Sequence, residues 1–244
     1  LSIARRSFGF IAGSPPPAFA ATGAWRPLVV SVGLLTMIAG GLRALRPFDL
    51  KQILAFGTVS QLGFMMVLLG VGLPEATAAG CALLIAHGLF KAALFMVVGI
   101  VDHQGHTRDI RRLDLGPGWA PAKVVATVSA MSMAAVPPAA GFLAKESAYE
   151  SLLHGSPGNR VVLAGIVTGS VLTVAYSLRI VAALWRPGML ARQARDRHPA
   201  PPPRRSFLAT PAVLAALTVV LGVAPGVGNP LVDAASRTLD AESG

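Results

Sequence analysis

The sequence predicts an all-α polytopic membrane protein with about six transmembrane helices, one of which is broken. The chain of 244 residues is 53% hydrophobic and only 13% charged, whereas a typical soluble domain carries about 25% charged residues. Uncharged apolar runs of about 20 residues, the length that crosses a bilayer as a helix, recur along the chain. No segment alternates polar and apolar residues as membrane strands do.

The distribution of basic residues predicts the orientation in the membrane. The 21 Lys and Arg residues exceed the 11 Asp and Glu residues, but they fall in short loops between apolar runs, so no nucleic-acid partner is expected. Loops 43–52, 102–123 and 186–206 hold 13 basic residues, against five in the segments on the other side. We therefore expect these loops in the cytoplasm and both termini on the outer face of the cell membrane.

The first part of the chain contains an irregular segment and two spans. Residues 1–26 form the irregular N-terminal segment, whose apolar run at 8–12 is too short for the core of a signal peptide. The first span covers 27–45, where arginines near both ends can reach the membrane surface. The second span covers 53–73 and follows an amphipathic turn.

The third span, 76–101, contains Lys91 near its middle and His87 four residues earlier. On a helix these two side chains lie on one face, one turn apart. A cation inside the membrane is costly and by default marks an ion or proton pathway. The pair therefore predicts a place where protons are held and passed. The alternatives are a structural pairing of Lys91 inside a helical bundle and a hydrogen-bonded core histidine at His87.

The fourth span, 124–144, carries Pro137-Pro138 in its middle and Gly141 shortly after. Backbone hydrogen bonds must break there, which predicts a broken membrane helix with Lys145 and Glu146 just beyond the break. In transporters, interrupted helices form ion sites near the middle of the membrane. The alternative is that the span ends at Pro137 and leaves Lys145 in a surface loop.

A fifth span covers 161–185, and residues 186–206 form an Arg/Pro-rich loop that we expect to be too polar to pack. A sixth span begins at residue 207 and is followed by a tail to residue 244. Thr173, Tyr176 and Arg179 are spaced three apart and so form a stripe on the fifth helix, with Arg179 reaching the interface. Polar residues inside the spans are pathway candidates, or simply bond neighbouring helices: Thr58, Ser60, Gln61, Thr173 and Tyr176.

The sequence predicts no catalytic residue, no cofactor and no metal site. Cys81 lies alone in an apolar run, where we expect it to pack. His103 and His106 lie near Asp102 and Asp109, but no thiolate or second ligand cluster accompanies them. We interpret that segment as a polar loop at the membrane surface.

Three segments resemble a known family, the antiporter-like subunits shared by Mrp-type cation/proton antiporters and the membrane arm of proton-pumping NADH dehydrogenase. They read D-L-K-Q-I-L-A-F-G-T-V-S-Q-L-G from Asp49, A-H-G-L-F-K-A-A-L-F from Ala86 and P-P-A-A-G-F-L-A-K-E from Pro137. A fourth, G-I-V-D-H-Q-G-H-T-R-D-I-R-R-L from Gly99, is similar to the large first subunit of the Mrp antiporters rather than to the NADH dehydrogenase subunits.

The resemblance implies a chain of protonatable residues halfway through the membrane, built from two pseudo-symmetric five-helix repeats. Residues 27–185 resemble the second repeat, and 207–244 would add one helix and a tail. By this resemblance Lys91 is the proton-relaying lysine, His87 its neighbouring histidine and Lys145 the lysine of the broken helix. The first repeat has no counterpart, so the chain resembles the C-terminal part of a longer subunit.

The resemblance also implies a function. We expect a proton-translocating subunit, or a fragment of one, of a multisubunit monovalent cation/proton antiporter, which is a secondary transporter and not an enzyme. Its partners would be the other antiporter subunits, H⁺ and Na⁺, and the lipid bilayer. The alternatives are a membrane-arm subunit of NADH:quinone oxidoreductase and an inert truncated fragment.

Overall fold

The computed structural model describes residues 24–153, 157–193 and 200–240, without the side chains of 231 and 236–240. Most of the predicted N-terminal segment, part of the Arg/Pro-rich loop and the end of the tail lie outside this range. The described chain is helical apart from its connections and two isolated bridges. The helices are α1 (Trp25–Ala44), α2 (Leu50–Val71), α3 (Pro74–Gly105), α4 (Ala120–Met133), α5 (Ala140–Leu153), α6 (Pro157–Trp185), α7 (Met189–Gln193), α8 (Arg205–Val223) and α9 (Asn229–Asp240).

Five of the described helices, α1, α2, α3, α6 and α8, are long and apolar enough to cross a membrane. The predicted broken span corresponds to α4 and α5, which follow each other across a short break. The protein is therefore an all-α, multi-pass membrane protein.

Local signals explain where α2 and α3 begin and end. The Asp49 carboxylate accepts hydrogen bonds from the backbone N–H groups of Lys51 (2.8 Å) and Gln52 (3.2 Å), so the predicted amphipathic turn is the first turn of α2. Helix α2 ends at Gly72, whose φ of 71° favours glycine. Pro74 then opens α3, since the first turn of a helix needs no N–H donor there.

The break between α4 and α5 lies where the two prolines predict it. Helix α5 then continues to Leu153, nine residues beyond the predicted end of the span, and Lys145 lies inside it. The alternative of a span that ends at Pro137 is therefore wrong. The start of α5 approaches the end of α4 so closely that a Cβ on Gly141 would lie 1.9 Å from the backbone oxygen of Ser132.

Helix α3 occupies the centre of the bundle. It packs against α2, α4, α5, α8 and α9, whereas α1 packs against α2 and α6, and α6 also contacts α2, α4 and α5. Buried apolar side chains of α2, α3, α4 and α6 form the larger hydrophobic core, which includes Leu54, Phe90, Leu94 and Tyr176. This arrangement places the middle of α3, with Lys91, away from the surface.

The three basic loops meet at one end of the bundle, which we call the basic end: residues 45–49, 106–119 and the described part of 186–206. The Leu50 N–H donates to the Arg108 backbone oxygen (3.0 Å), and the Leu190 N–H donates to that of Arg111 (2.8 Å). The three loops therefore lie at the same end of the bundle, as the order of the predicted spans requires.

The Arg/Pro-rich loop is not too polar to pack where it is described. Helix α7 lies against the segment after α3, and the Trp119 indole N–H donates to the Ala200 backbone oxygen at 2.9 Å. The prediction was wrong because it weighed only side chains, whereas backbone groups make most of these contacts.

Ion pairs at the basic end involve the acids considered as metal ligands. Arg108 pairs with Asp49 (3.2 Å) and Asp102 (3.5 Å), and Arg111 pairs with Asp109 at 2.7 Å. The hydrogen bond from Arg111 holds the pKa of the Asp109 carboxyl below its usual value. The pair of Asp49 with Arg108 joins two of the loops, whereas Asp102 and Asp109 pair within their own segment.

Replacing Asp49 tests the start of α2. Asp49→Ala removes the cap and the pair with Arg108, and loss of such a cap costs about 1 kcal/mol. Asp49→Asn keeps the capping oxygen, and an exposed ion pair contributes little. Thermal unfolding in detergent should show a clear loss for the alanine variant and a small one for the asparagine variant. Equal losses would show that the ion pair, and not the cap, holds this turn.

Candidate functional site

Three lysine side chains of the described chain are buried, and two of them, Lys91 and Lys145, lie in the middle of the bundle without a carboxylate partner among the described residues. Lys91 on α3 is 4% exposed and Lys145 on α5 is 1% exposed. The ion pairs that Arg108 and Arg111 form lie at the basic end, and neither lysine forms an ion pair with a described carboxylate. A buried cation without other compensation is costly, so the remaining polar and aromatic neighbours of these two groups matter.

Lys91 is held by a backbone oxygen and an aromatic ring. Its Nζ donates to the Leu54 backbone oxygen at 3.0 Å and lies 5.9 Å from the centre of the Tyr176 ring. Gly57 leaves room for this contact, because a Cβ there would lie 3.1 Å from Nζ. Helices α2, α3 and α6 therefore meet at the ammonium group.

Lys145 is held in the same way, and the break in the helix supplies the oxygen. Its Nζ donates to the Met133 backbone oxygen at 3.2 Å and lies 5.7 Å from the centre of the Phe64 ring. Met133 is the last residue of α4, where carbonyl groups lack helical donors. The three carbonyls before it accept from N–H groups of the turn, which leaves Met133 for the ammonium.

His87 lies one turn before Lys91 on α3, as predicted. Its side chain is 8% exposed, and its ring meets the Phe90 ring edge-on with centres 5.3 Å apart. The buried Nδ1 atom has no hydrogen-bond partner within the described chain. The alternative of a hydrogen-bonded core histidine would need a partner for Nδ1 that the described protein groups do not supply.

Three of the polar candidates form one cluster next to Lys91. The Gln61 Nε2 donates to the Thr173 hydroxyl at 2.9 Å and to the Tyr176 hydroxyl at 3.4 Å. All three side chains are buried, and the Tyr176 ring connects them to the Lys91 ammonium. The structure thus joins candidates from the second and fifth spans.

The remaining candidates, Thr58, Ser60 and Glu146, are not part of this cluster. The Thr58 hydroxyl donates to the Leu54 oxygen at 3.0 Å, the same oxygen that Lys91 uses. The Ser60 hydroxyl donates to the Met37 oxygen on α1, so Ser60 does not reach the lysines. Glu146 is exposed on α5 while its neighbour Lys145 points into the bundle.

Sequence reasoning missed the groups that hold the two ammonium ions. The Leu54 and Met133 carbonyls are backbone groups, and Phe64 looks like any apolar residue of a span. It also counted Lys123 as a loop residue, whereas this side chain is 8% exposed and donates to the Leu115 oxygen at 2.7 Å. Arg179 bonds the Leu45 oxygen at the basic end, in line with its expected structural role.

No cluster of three His, Cys, Asp or Glu side chains occurs in ranges 24–153, 157–193 and 200–240. The reactive groups of the site are the amines of Lys91 and Lys145 in the interior of the bundle. A buried lysine, unlike an arginine, can exist as a neutral amine and take up a proton again. The arrangement can therefore hold and release protons.

Comparison with known proteins shows the family of the chain. Residues 7–173 match the family described as NADH:quinone oxidoreductase/Mrp antiporter, TM. The A1 subunit of the Na(+)/H(+) antiporter of Staphylococcus aureus (strain JH9) is 36% identical over 252 aligned positions, which cover 92% of this chain and 31% of that protein. The chain thus spans about a third of the length of these relatives.

Solved structures share the fold. One chain of the Mrp complex from Dietzia sp. DQ12-45-1b superposes with a TM-score of 0.75 at 34% identity, over 90% of this chain and 24% of that one. A chain of respiratory complex I from Thermus thermophilus superposes with a TM-score of 0.76 over 95% of this chain and 49% of that one, but at 22% identity. The second match shows the fold alone.

The contact between Lys91 and Tyr176 depends on the absence of a side chain at Gly57. In Gly57→Ala the new methyl group would lie 3.1 Å from Lys91 Nζ and 3.0 Å from the Tyr176 ring. Overpacking of this kind costs about 1–3 kcal/mol. Gly88→Ala is the matched control, since its Cβ would meet nothing within 4 Å, and alanine favours a helix. The melting temperature should be lowered by the first change only, and equal melting temperatures would contradict the tight contact.

Proposed function

Because the chain belongs to the NADH:quinone oxidoreductase/Mrp antiporter family, we propose that it is the proton-translocating part of the large first subunit of a Na⁺/H⁺ antiporter built from several subunits. The observation that carries this proposal is the pair of buried lysines without carboxylate partners among the described residues, each held by one backbone oxygen and one aromatic ring. A buried cation is costly inside a membrane, so these groups indicate a proton pathway rather than a contribution to stability.

The two lysines and His87 have separate roles in this proposal. Lys145 takes a proton beside the break, where the interrupted backbone allows access from one side. Lys91 holds a proton near the middle of α3, and His87 extends the row by one helical turn. Glu146 lies exposed next to Lys145 and would face water or another protein of the complex at the entrance.

The antiporter is favoured over the membrane arm of NADH:quinone oxidoreductase by sequence. Identity is 36% to the antiporter relative and 34% to the Mrp chain, against 22% to the complex I chain. The segment from Gly99 to Leu113 supports the same choice by its resemblance to the large first subunit of the Mrp antiporters. The oxidoreductase subunit stays the second candidate because the fold is shared, and an inert fragment is the third.

The proposal includes the partners and the location. The chain would assemble with the other antiporter subunits, exchange H⁺ with Na⁺ or another monovalent cation, and act as a secondary transporter rather than an enzyme. Residues 27–185 would form one repeat, 186–206 a cytoplasmic loop, and 207–244 the final helix and tail. Both termini would lie outside the cell membrane, since the basic end carries the excess of Lys and Arg.

Substitution of the lysines tests the proposed function. In the complete subunit within its assembled complex, Lys91→Ala should abolish Na⁺-dependent proton flux. Lys91→Arg should lower the flux at least tenfold, because a guanidinium does not release its proton. Lys145→Arg should do the same. The exposed Lys51→Arg serves as the control and should leave flux unchanged. Proton flux is followed in vesicles with a pH-sensitive dye. Normal flux in the Lys91→Arg variant would show that Lys91 is only a structural charge.

Cysteine labelling tests the orientation. Ser206 and Glu75 are both exposed and lie at opposite ends of the bundle, whereas the native Cys81 is buried. In intact cells an impermeant maleimide should label Glu75→Cys and leave Ser206→Cys unlabelled. Permeabilised cells, in which both should react, give the control. The reverse pattern in intact cells would invert the proposed topology.

A further inference from the structure

A cavity of about 310 Å³ lies at the basic end, between the end of α6, helix α7 and Ile110. Its volume is at the lower end of the range of about 300–1,000 Å³ that is typical of ligand pockets. Its lining contains three arginines and no acidic residue of the described chain: Arg179, Arg186 and Arg192. The charges that surround the cavity therefore favour an anion.

The acid that lies next to this lining in the sequence is already bonded. Asp109 precedes the lining residue Ile110 and pairs with Arg111 at 2.7 Å. Neither Arg179 nor Arg186 forms an ion pair with a described carboxylate. Arg179 uses one N–H group for the Leu45 oxygen, but a guanidinium has several donors and can bond a ligand as well.

Backbone hydrogen bonds hold the walls of the cavity in place. The Gly188 N–H donates to the Leu113 oxygen at 2.8 Å, which fixes the turn between α6 and α7. The Arg192 Nε–H donates to the Pro187 oxygen at 3.0 Å, so this guanidinium is held against the same turn. A ligand would therefore find the site formed in advance, which lowers the entropic cost of binding.

The cavity opens onto the exposed side of α6. Large apolar side chains recur along this side every three or four residues and are exposed: Val167, Val171, Val174, Leu178 and Trp185. Ala182 belongs to the same stripe, is also exposed, and lines the cavity. Tryptophan is typical of the boundary between membrane and water, so Trp185 indicates that the cavity lies at the level of the lipid headgroups.

We propose that this cavity binds the headgroup phosphate of an anionic phospholipid, one of whose acyl chains lies along the exposed stripe of α6. Guanidinium groups bind phosphate oxygens through paired N–H donors. Basic pockets between membrane helices at the cytoplasmic side bind anionic headgroups. Cavity and stripe meet at Ala182, so the ligand has to be charged at one end and apolar at the other. A phospholipid meets both conditions, whereas a free phosphate ion or an acidic peptide meets only the first.

This site is separate from the two buried lysines, since neither Lys91 nor Lys145 lines the cavity. The inference therefore goes beyond the proposed function and requires only that the basic end lies at a membrane surface. The result of the flux experiments on Lys91 does not affect it.

The first test removes charge from the cavity. The assembled complex is purified in detergent, and native mass spectrometry measures its binding of phosphatidylglycerol and of phosphatidylcholine with the same acyl chains. We expect one phosphatidylglycerol for each copy of the subunit to be lost when Arg186→Gln and Arg192→Gln are combined, through an affinity that is lower by about tenfold or more. Binding of phosphatidylcholine should not change.

The matched control combines Arg204→Gln and Arg205→Gln. These two arginines are exposed at the same end, outside the cavity, and their replacement changes the net charge by the same amount. The control should keep the bound phosphatidylglycerol. An equal loss in both double variants would show general attraction between charges and would overturn the site. No loss in the cavity variant would overturn it too.

The second test fills the cavity and keeps every arginine. Ala182→Leu should displace the bound phosphatidylglycerol, whereas Ala164→Leu, at another exposed position of α6 outside the cavity, should not. Inorganic phosphate at equal concentration should leave the lipid in place, because it cannot use the stripe. Displacement by phosphate would assign the cavity to a free anion and would contradict the proposal.

A map of the unaltered assembled complex gives a readout that does not depend on any variant. We expect density for a phosphate group within hydrogen-bond distance of Arg186 and for an acyl chain along Leu178. A carboxylate of another subunit bonded to Arg186, without lipid density, would show that the cavity is a contact between proteins and would overturn the inference.

Discussion

The removal of two ammonium groups from water is the constraint on which the rest of this bundle depends. Neither Lys91 nor Lys145 has a carboxylate near it in the described chain, so dipoles and aromatic rings must compensate for the lost hydration. Each lysine uses one carbonyl and one ring, and in both cases α2 supplies one of the two. Helix α2 is thus the common wall of the site. Gly57 and Gln61 lie on the same face of α2 as Phe64, which contacts Lys145.

The break between α4 and α5 removes backbone hydrogen bonds, and the same break supplies the backbone oxygen that holds Lys145. Two prolines remove backbone donors, and the carbonyl of Met133 is left without a helical partner. In the membrane interior such an orphan would be unfavourable. The Lys145 ammonium satisfies it, while the carbonyl dipole in turn stabilises the buried charge. Two groups that are each unfavourable alone therefore stabilise each other, and the broken helix and its lysine have to be understood together.

The crossings could be predicted from sequence because apolar runs and proline positions are local signals. The end of α5 could not, since its last two turns contain Glu146 and Glu150 and no longer look like a membrane span. Lys91, His87 and Lys145 were found because charge in an apolar run is conspicuous. Their partners were not, because a carbonyl, a glycine and a phenylalanine carry no such signal. Adjacent residues also bond different helices: Ser60 bonds α1 and Gln61 bonds α6, a difference that only helix packing decides.

The hydrogen bond from the Trp119 indole to the Ala200 oxygen joins positions 81 residues apart in sequence. A ribosome makes the broken span long before it makes Ala200, and chain synthesis proceeds at about 5–20 residues per second. The Trp119 indole is therefore made several seconds before its partner. This bond can form only late in the synthesis of the protein, whereas the bond between Leu50 and Arg108 at the same end can form earlier.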